Sequence, residues 1–179
     1  HPPIWVPSQG SRETIEWAAH PDRKYVYLQT YSPFPSVIRS LDLYREVARG
    51  HGYEAASDRL GWAAPVYVAE TDEAAIEQAR PHMEAFYNKF LKLPFDMRFP
   101  PGYVSASSLA SIAAAKASIM ADQKIEFLME QGIVVIGSPD TVRNRLFLCH
   151  REVEMGNLLT MMQFGTLPAD LTQRSMELF

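Results

Sequence analysis

Short apolar runs alternate with longer amphipathic stretches along this chain, and the alternation predicts strands that are each followed by a helix. The apolar runs occupy residues 4–6, 24–31, 64–70 and 158–164. Each run is largely continuous instead of alternating with polar residues, which is typical of strands buried on both faces of a parallel sheet. Four strand-helix units of this kind predict an α/β fold.

Hydroxyl-bearing residues mark the expected starts of three helices. Ser36 precedes helically spaced apolar residues that extend to Gly50, Thr71 precedes two carboxylates, and Ser138 precedes Pro139. A side-chain oxygen at such a position accepts a hydrogen bond from a helix N–H group that lacks a partner within the helix. Carboxylates and proline also favour the first turn of a helix. We therefore expect helices after residues 36, 71 and 138.

One long stretch interrupts this alternation. Residues 93–102 contain three prolines and predict an irregular loop, and residues 105–131 have an alanine-rich helical pattern that ends at Gly132. We interpret residues 93–132 as a helical insertion.

The number of predicted strands limits the architectures that the chain can form. A closed (β/α)8 barrel has about 250 residues, so four strands in 179 residues predict half of a barrel or a small open sheet. The apolar pattern starts at residue 4 and a helical pattern reaches residue 179, so both ends look cut. We expect residues 1–179 to form one partial barrel domain whose N-terminal half is missing.

Composition narrows the class of partner. The net formal charge is −4 and Lys and Arg do not cluster, so there is no electrostatic reason to expect nucleic acid or an anionic membrane surface. No apolar stretch reaches the roughly 18 residues of a spanning helix. Cys149 is the only cysteine, which excludes an intrachain disulfide, and the histidines lie far apart, so no metal site is expected. We expect a cytoplasmic protein with a small, uncharged partner.

The segment VPSQGSRETIEWAA, residues 6–19, places small polar residues between the first strand and the first helix. The first N–H groups of a helix lack internal partners and carry the positive end of the helix dipole, so a phosphate binds well there. Gly10 would allow the backbone to approach a ligand closely, and Ser11 and Thr14 would present hydroxyls to it. The alternative is that Ser11 is an ordinary helix cap and Gly10 an ordinary turn residue.

Three strings of residues resemble one protein family. PPIWVPSQGSRETIEWAA near the start, GSPDTVRNRL at 137–146 and GNLLTMMQFGTLP at 156–168 are similar to the C-terminal half of the bacterial luciferase-like flavin-dependent monooxygenases. The resemblance implies a TIM-type (β/α)8 barrel that holds reduced FMN near the carboxyl ends of its strands. It also implies that residues 93–132 correspond to the mobile segment over the family's substrate pocket; a plain surface excursion is the alternative.

The resemblance also implies a set of site residues. In the light-emitting members a serine at the helix start and a threonine three residues later contact the flavin phosphate, and these positions are Ser11 and Thr14 here. Gly10 stands where those enzymes have an acidic residue, so only its backbone is expected to contribute, and Gln9 is a further candidate contact. The flavin ring rests mainly on the other half of the barrel, so we assign no catalytic residue in this chain.

The implied function is an FMN-dependent monooxygenase that uses reduced flavin and dioxygen to oxidise a small organic substrate. The implied partners are a flavin reductase that supplies the reduced flavin, and either the missing N-terminal half or a second copy of the chain, because a half barrel exposes sheet edges. Two alternatives stay open: a non-catalytic flavin-binding or interaction module, and a relative that transfers hydride with a deazaflavin.

Overall fold

The computed structural model describes residues 2–94, 97, 100, 102 and 121–179. Within these residues the chain forms one parallel sheet, and its strands are β1 (Trp5–Ser8), β2 (Val26–Thr30), β3 (Leu60–Val68), β4 (Val135–Gly137) and β5 (Asn157–Met161). The four predicted apolar runs all contribute strands, so the α/β prediction is confirmed.

The described helices lie between and after these strands. They are α1 (Arg12–Ala18), α2 (Phe34–Gly50), α3 (Asp72–Ala85), α4 (Ile125–Glu130), α5 (Pro139–Val153) and α6 (Ala169–Leu178). A 3-10 turn (Ser57–Arg59) precedes β3, and a π-helical turn (Phe86–Phe90) extends α3. α3 includes Pro81 and continues through it without a break.

β3 is the centre of the sheet. β1 pairs with β2, β2 pairs with the first half of β3, and β4 pairs with its last three residues. β5 also pairs with β3, and because Gly61 faces both Leu28 and Asn157, β2 and β5 lie on opposite edges of β3. All of these pairings are parallel, as the continuous apolar runs predicted.

Several predicted boundaries differ from the structure. α2 begins at Phe34 and Ser36 is not its cap; the Phe34 N–H instead donates to the Gln131 carbonyl at 2.9 Å, which satisfies a helix-end donor without a side chain. β3 starts at residue 60 and ends at 68, and β5 ends at Met161 instead of at residue 164. β4 was not predicted, because three residues are too few to produce a pattern.

The predicted insertion at 93–132 lies mostly outside the described residues, including 103–120. Its described end differs from the prediction of one helix over 105–131, since residues 121–124 are not helical and α4 covers only Ile125–Glu130. Gly132 has a φ of +64° and follows this helix, so the predicted end of the helical pattern is confirmed.

The buried side chains form two clusters on the two faces of β3. Trp62, Ala64 and Val66 belong to the cluster with residues of α1, α2 and α5, whereas Tyr67 and Ala69 belong to the cluster with residues of α3 and α4. This division follows from the strand geometry, in which successive side chains point to opposite faces. A strand with both faces covered has no need of polar positions, which explains its continuous apolar sequence.

Asp72 joins the starts of two helices. It is the first residue of α3, which Thr71 caps, and its carboxylate accepts hydrogen bonds from the Ser138 N–H at 2.6 Å and the Thr141 hydroxyl at 2.9 Å at the start of α5. Both helix dipoles favour a negative charge at this point. The Ser138 backbone N–H, and then the Thr141 hydroxyl, hold the pKa of Asp72 below its usual value.

Replacing Asp72 tests this junction. We expect Asp72→Ala to lower the melting temperature by about 3–6 °C at neutral pH, because two hydrogen bonds to a charged group are lost. A carboxyl with a depressed folded-state pKa stabilises the fold above its unfolded-state pKa, and this contribution is lost as the pH falls through the folded-state value. The difference between the two proteins should therefore shrink in strong acid.

The matched control for this prediction is Asp140→Ala. Asp140 also lies in a first helix turn, but its ion pair with Arg143 is highly exposed, so its loss should change the melting temperature by about 1 °C or less. Equal melting temperatures for the two variants, measured by circular dichroism, would contradict the role of Asp72.

Candidate functional site

The segment that connects β1 to α1, residues 8–11, forms a tight exposed turn, which we call the β1–α1 turn. Ser8 ends β1, and its hydroxyl oxygen accepts hydrogen bonds from the backbone N–H groups of Gly10 at 3.1 Å and Ser11 at 3.3 Å. Gly10 has a φ of +103°, a conformation that residues with a Cβ rarely adopt. The structure therefore places the small polar residues of the segment at the carboxyl end of an edge strand.

Ser11 caps α1, as the sequence predicted. Its side-chain oxygen accepts a hydrogen bond from the Thr14 N–H at 3.4 Å, and its hydroxyl donates to the Glu13 carboxylate at 2.9 Å. Gln9, Gly10 and Ser11 are exposed, and Thr14 is half-buried one helical turn further on. All four residues proposed from the sequence thus lie within one short segment, and three of them are exposed.

A buried polar cluster lies beneath the β1–α1 turn. The Tyr27 hydroxyl donates to the Gln29 side-chain oxygen at 2.6 Å, and the Gln29 amide donates to the Ser32 hydroxyl at 2.8 Å. Ser40, on the buried face of α2, completes the cluster, and Tyr27 and Gln29 have no exposed surface. Burial raises the pKa of Tyr27, and the nearby Ser8 and Ser40 hydroxyls and Gly10 backbone oppose the rise.

This cluster was not predicted, although the sequence contains a signal for it. Gln29 follows the apolar residues of a strand run, and Ser40 stands among the apolar residues Val37, Leu41 and Tyr44 of α2. Buried polar side chains need hydrogen-bond partners, so two such interruptions on adjacent elements indicate a shared polar site.

Gly10 rests directly on this cluster. A Cβ added at Gly10 would lie 3.2 Å from the Ser40 side-chain oxygen and 3.6 Å from the Gln29 amide nitrogen. The Thr30 hydroxyl also donates to the Ser8 carbonyl at 3.2 Å. Glycine at position 10 is therefore favoured both by the backbone conformation and by the close approach to the cluster.

The charges around the turn are mixed. The α1 dipole favours an anion at this end, whereas the Glu13 carboxylate in the first turn opposes one. Arg12 is adjacent to the turn, but its guanidinium pairs with Glu16 at 2.8 Å. An anionic ligand at this turn would depend on backbone N–H groups and hydroxyls more than on a formal positive charge.

The start of α5 differs from the β1–α1 turn in one respect. Ser138 caps α5 with the geometry that Ser11 has on α1, since its side-chain oxygen accepts from the Thr141 N–H at 3.4 Å. The acceptors of the two cap N–H groups differ, however: the Ser11 N–H donates to the neutral Ser8 hydroxyl oxygen, whereas the Ser138 N–H donates to the charged Asp72 carboxylate. A second anion at α5 would meet this carboxylate, so the β1–α1 turn is the better anion site of the two.

Other regions of the described chain are weaker candidates for a functional site. A cavity of about 640 Å³ lies beside β5 between α5 and α6, and its lining is mainly apolar. Among the described residues, no group of three or more His, Cys, Asp and Glu side chains is arranged to hold a metal ion. No helix in the described part of the chain is long and apolar enough to cross a membrane.

Comparison with protein families gives one match. The model of the luciferase-like monooxygenase family matches residues 1–151 of this chain, which include the β1–α1 turn and nearly all of α5. A comparison with curated proteins found no match.

Solved structures share the fold. Monooxygenase RslO1 from Streptomyces bottropensis has 19% identity and a TM-score of 0.66, with 100% of this chain and 46% of that chain covered. The oxygenating constituent of 3,6-diketocamphane monooxygenase from Pseudomonas putida, solved in complex with FMN, has 20% identity and a TM-score of 0.63, with 98% and 47% covered.

A third structure has a different cofactor. The coenzyme F420-dependent tetrahydromethanopterin reductase from Methanopyrus kandleri has 16% identity and a TM-score of 0.56, with 96% of this chain and 47% of that chain covered. The chain thus spans about half the length of the solved structures that it matches, and the likeness shows that its fold is that of luciferase-like TIM-barrel fragments.

The two requirements on Gly10 can be separated by a pair of variants. We expect Gly10→Ala to lower the free energy of unfolding by about 2 kcal/mol or more, because the new Cβ adds backbone strain and a close contact with Ser40. Gly52 also has a positive φ, +79°, but nothing lies within 4 Å of its added Cβ. Gly52→Ala should therefore cost about 1 kcal/mol. Equal losses in urea unfolding would show that the contact is unimportant.

Proposed function

Because this chain belongs to the luciferase-like monooxygenase family, we propose that its β1–α1 turn binds the phosphate of FMN and that it serves an FMN-dependent monooxygenase. Gln9, Gly10, Ser11 and Thr14 are the proposed cofactor-binding residues. The observation that carries the proposal is the turn itself, in which a glycine with positive φ and a capping serine stand exposed at the carboxyl end of a strand.

The residues present fit a phosphate group. Gln9, Gly10 and Ser11 are exposed at the start of α1, so a ligand can reach this turn from solvent. Ser11 would exchange its hydrogen bond to Glu13 for one to a phosphate oxygen. The solved relative in complex with FMN supports the choice of cofactor.

The reaction that we propose is the oxidation of a small organic substrate. Reduced FMN, when bound, supplies electrons to dioxygen for this chemistry. The contribution of this chain is to bind the phosphate end of the flavin and so to orient it, and we assign no catalytic residue in it. We propose that a separate flavin reductase supplies the reduced flavin and that the protein acts in the cytoplasm, where the buried free thiol of Cys149 stays reduced.

The exposed edges of the sheet are evidence for a further partner. β1 and β5 each pair with only one strand among the described residues, and they leave large apolar side chains partly exposed: Ile4, Trp5, Leu158 and Leu159. An open edge with apolar side chains associates readily with other strands. We propose that the strands of a second barrel half, or a second copy of this chain, cover these edges.

A deazaflavin-dependent hydride transfer is the second candidate function, since a coenzyme F420-dependent reductase shares the fold. A flavin-binding module without turnover is the third. Titrations with FMN and with coenzyme F420 separate the first two, because only the proposed cofactor should bind tightly. Formation of an oxidised organic product from reduced FMN and dioxygen distinguishes an enzyme from a module, because free reduced flavin consumes dioxygen by itself.

The phosphate site predicts a specific loss of affinity. Ser11→Ala and Thr14→Ala should each weaken FMN binding by about tenfold, since each removes a hydrogen bond to a charged group. Riboflavin, which lacks the phosphate, should bind equally to all three proteins. Ser138→Ala is the control for lost capping, because it removes the same kind of cap from α5. Unchanged FMN affinity, measured by quenching of flavin fluorescence, would place the phosphate elsewhere.

Glu13 predicts a gain of affinity. Its carboxylate bonds to the Ser11 hydroxyl and would repel a bound phosphate, so Glu13→Gln should tighten FMN binding by about two- to fivefold. The gain should shrink at high ionic strength because salt screens exposed charges. Glu73→Gln changes the corresponding residue in the first turn of α3 and should have no effect. Weaker FMN binding to the Glu13 variant would argue against a phosphate at this turn.

A further inference from the structure

The buried polar cluster beneath the β1–α1 turn extends the proposed phosphate site, on which this inference rests. We infer that Gln29 and Tyr27 are positioning residues, which hold the β1–α1 turn in the conformation that receives the phosphate. Neither residue touches the ligand. They act through Gly10 and Ser8, whose backbone they support.

Gln29 is fixed from both ends of its amide. Its oxygen accepts from the Tyr27 hydroxyl at 2.6 Å and its nitrogen donates to Ser32 at 2.8 Å, whose hydroxyl donates in turn to the Thr30 carbonyl at 2.9 Å. Gln29 has no exposed surface. A side chain held in this way has a single orientation, so it is a rigid support for whatever packs on it.

The β1–α1 turn packs on that support. The sheet register places Ser8 opposite Gln29, and the position of a Cβ on Gly10 lies 3.6 Å from the Gln29 amide nitrogen. The gap left by the absent Cβ is therefore filled by the polar cluster. If Gln29 moved, Gly10 would lose the surface that it rests on, and the N–H groups that Ser8 organises would move with it.

The amide of Gln29 provides something at this position that an apolar side chain would not. An apolar side chain of similar size would fill the same space without the desolvation of a buried amide, which requires partners to be tolerated at all. What the amide adds is a fixed geometry. A binding turn needs its donors held to within about 0.5 Å of their bound positions, and the cluster lies where it can impose that limit.

The experiment compares Gln29→Met with Gln78→Met. Gln78 on α3 also accepts a hydrogen bond from a buried tyrosine, Tyr67, at 2.8 Å, so both variants lose a tyrosine–glutamine bond. The full chain is titrated with FMN and with riboflavin, and the ratio of the two affinities measures the phosphate contribution. We expect Gln29→Met to reduce this ratio about fivefold, whereas Gln78→Met leaves it unchanged.

Tyr27→Phe and Tyr67→Phe form a milder pair, which remains usable if Gln29→Met fails to fold. Each removes only one buried hydroxyl from the same two tyrosine–glutamine bonds. Both should lower the melting temperature, but only Tyr27→Phe should reduce the ratio of FMN to riboflavin affinity. A lower melting temperature with an unchanged ratio in Gln29→Met and Tyr27→Phe would overturn the inference and leave the cluster with a structural role alone.

Failure of the proposed function would look different. If Ser11→Ala and Thr14→Ala leave the ratio unchanged, the phosphate does not bind at the β1–α1 turn. If these variants reduce the ratio and Gln29→Met does not, only the positioning role is wrong. Hydrogen exchange of the Gly10 and Ser11 N–H groups, measured by NMR without ligand, gives an independent result: it should accelerate in Gln29→Met and not in Gln78→Met, and equal rates would overturn the inference.

Discussion

The register between β1 and β2 is the constraint on which the candidate site depends. Ser8 lies opposite Gln29 and Pro7 opposite Leu28, so β1 ends beside the polar residues at the end of β2. A parallel register is strongly specified where one face of the strand is buried, because a slip by one residue would turn every side chain to the other face. The same slip would separate Gly10 from the cluster that supports it.

This register also explains how a short loop is held in one conformation. β1 has only four residues, and α1 has seven, so neither element is rigid by its own length. The turn is held instead by contacts with β2 and α2. The Thr30 hydroxyl donates to the Ser8 carbonyl, and Gly10 packs on Gln29 and Ser40. The exposed residues that would meet a ligand and the buried residues that hold them are therefore distinct, and they come from different elements of the chain.

The sequence alone predicted the strands and helices better than the tertiary contacts that support them. Continuous apolar runs identified four strands, since burial on both faces leaves a strong pattern, and capping chemistry located Ser11, Thr71 and Ser138 correctly. It failed at Ser36, because the Phe34 N–H finds its partner in Gln131, nearly a hundred residues away. The Gln29 cluster was missed for a related reason: Gln29 and Ser40 each interrupt an apolar pattern, but their two signals point to one site only after β2 and α2 have packed together.

The two serine-capped helix starts show how one local motif acquires different roles. Ser11 and Ser138 both accept a hydrogen bond from the N–H group three residues later, so local sequence does not distinguish them. At α5 the carboxylate of Asp72 arrives from α3 and neutralises the helix end within the fold. At α1 no described element supplies a carboxylate from elsewhere in the chain, and the acidic group present, Glu13, belongs to the helix itself. A carboxylate on an exposed first turn can rotate away when a ligand binds, whereas Asp72 is held by two bonds to a separate helix. Among the described residues, the fold thus places a carboxylate from another helix at the start of α5 and none at the start of α1, and this difference in tertiary contact, rather than the serine, supports the proposal that the β1–α1 turn binds the phosphate.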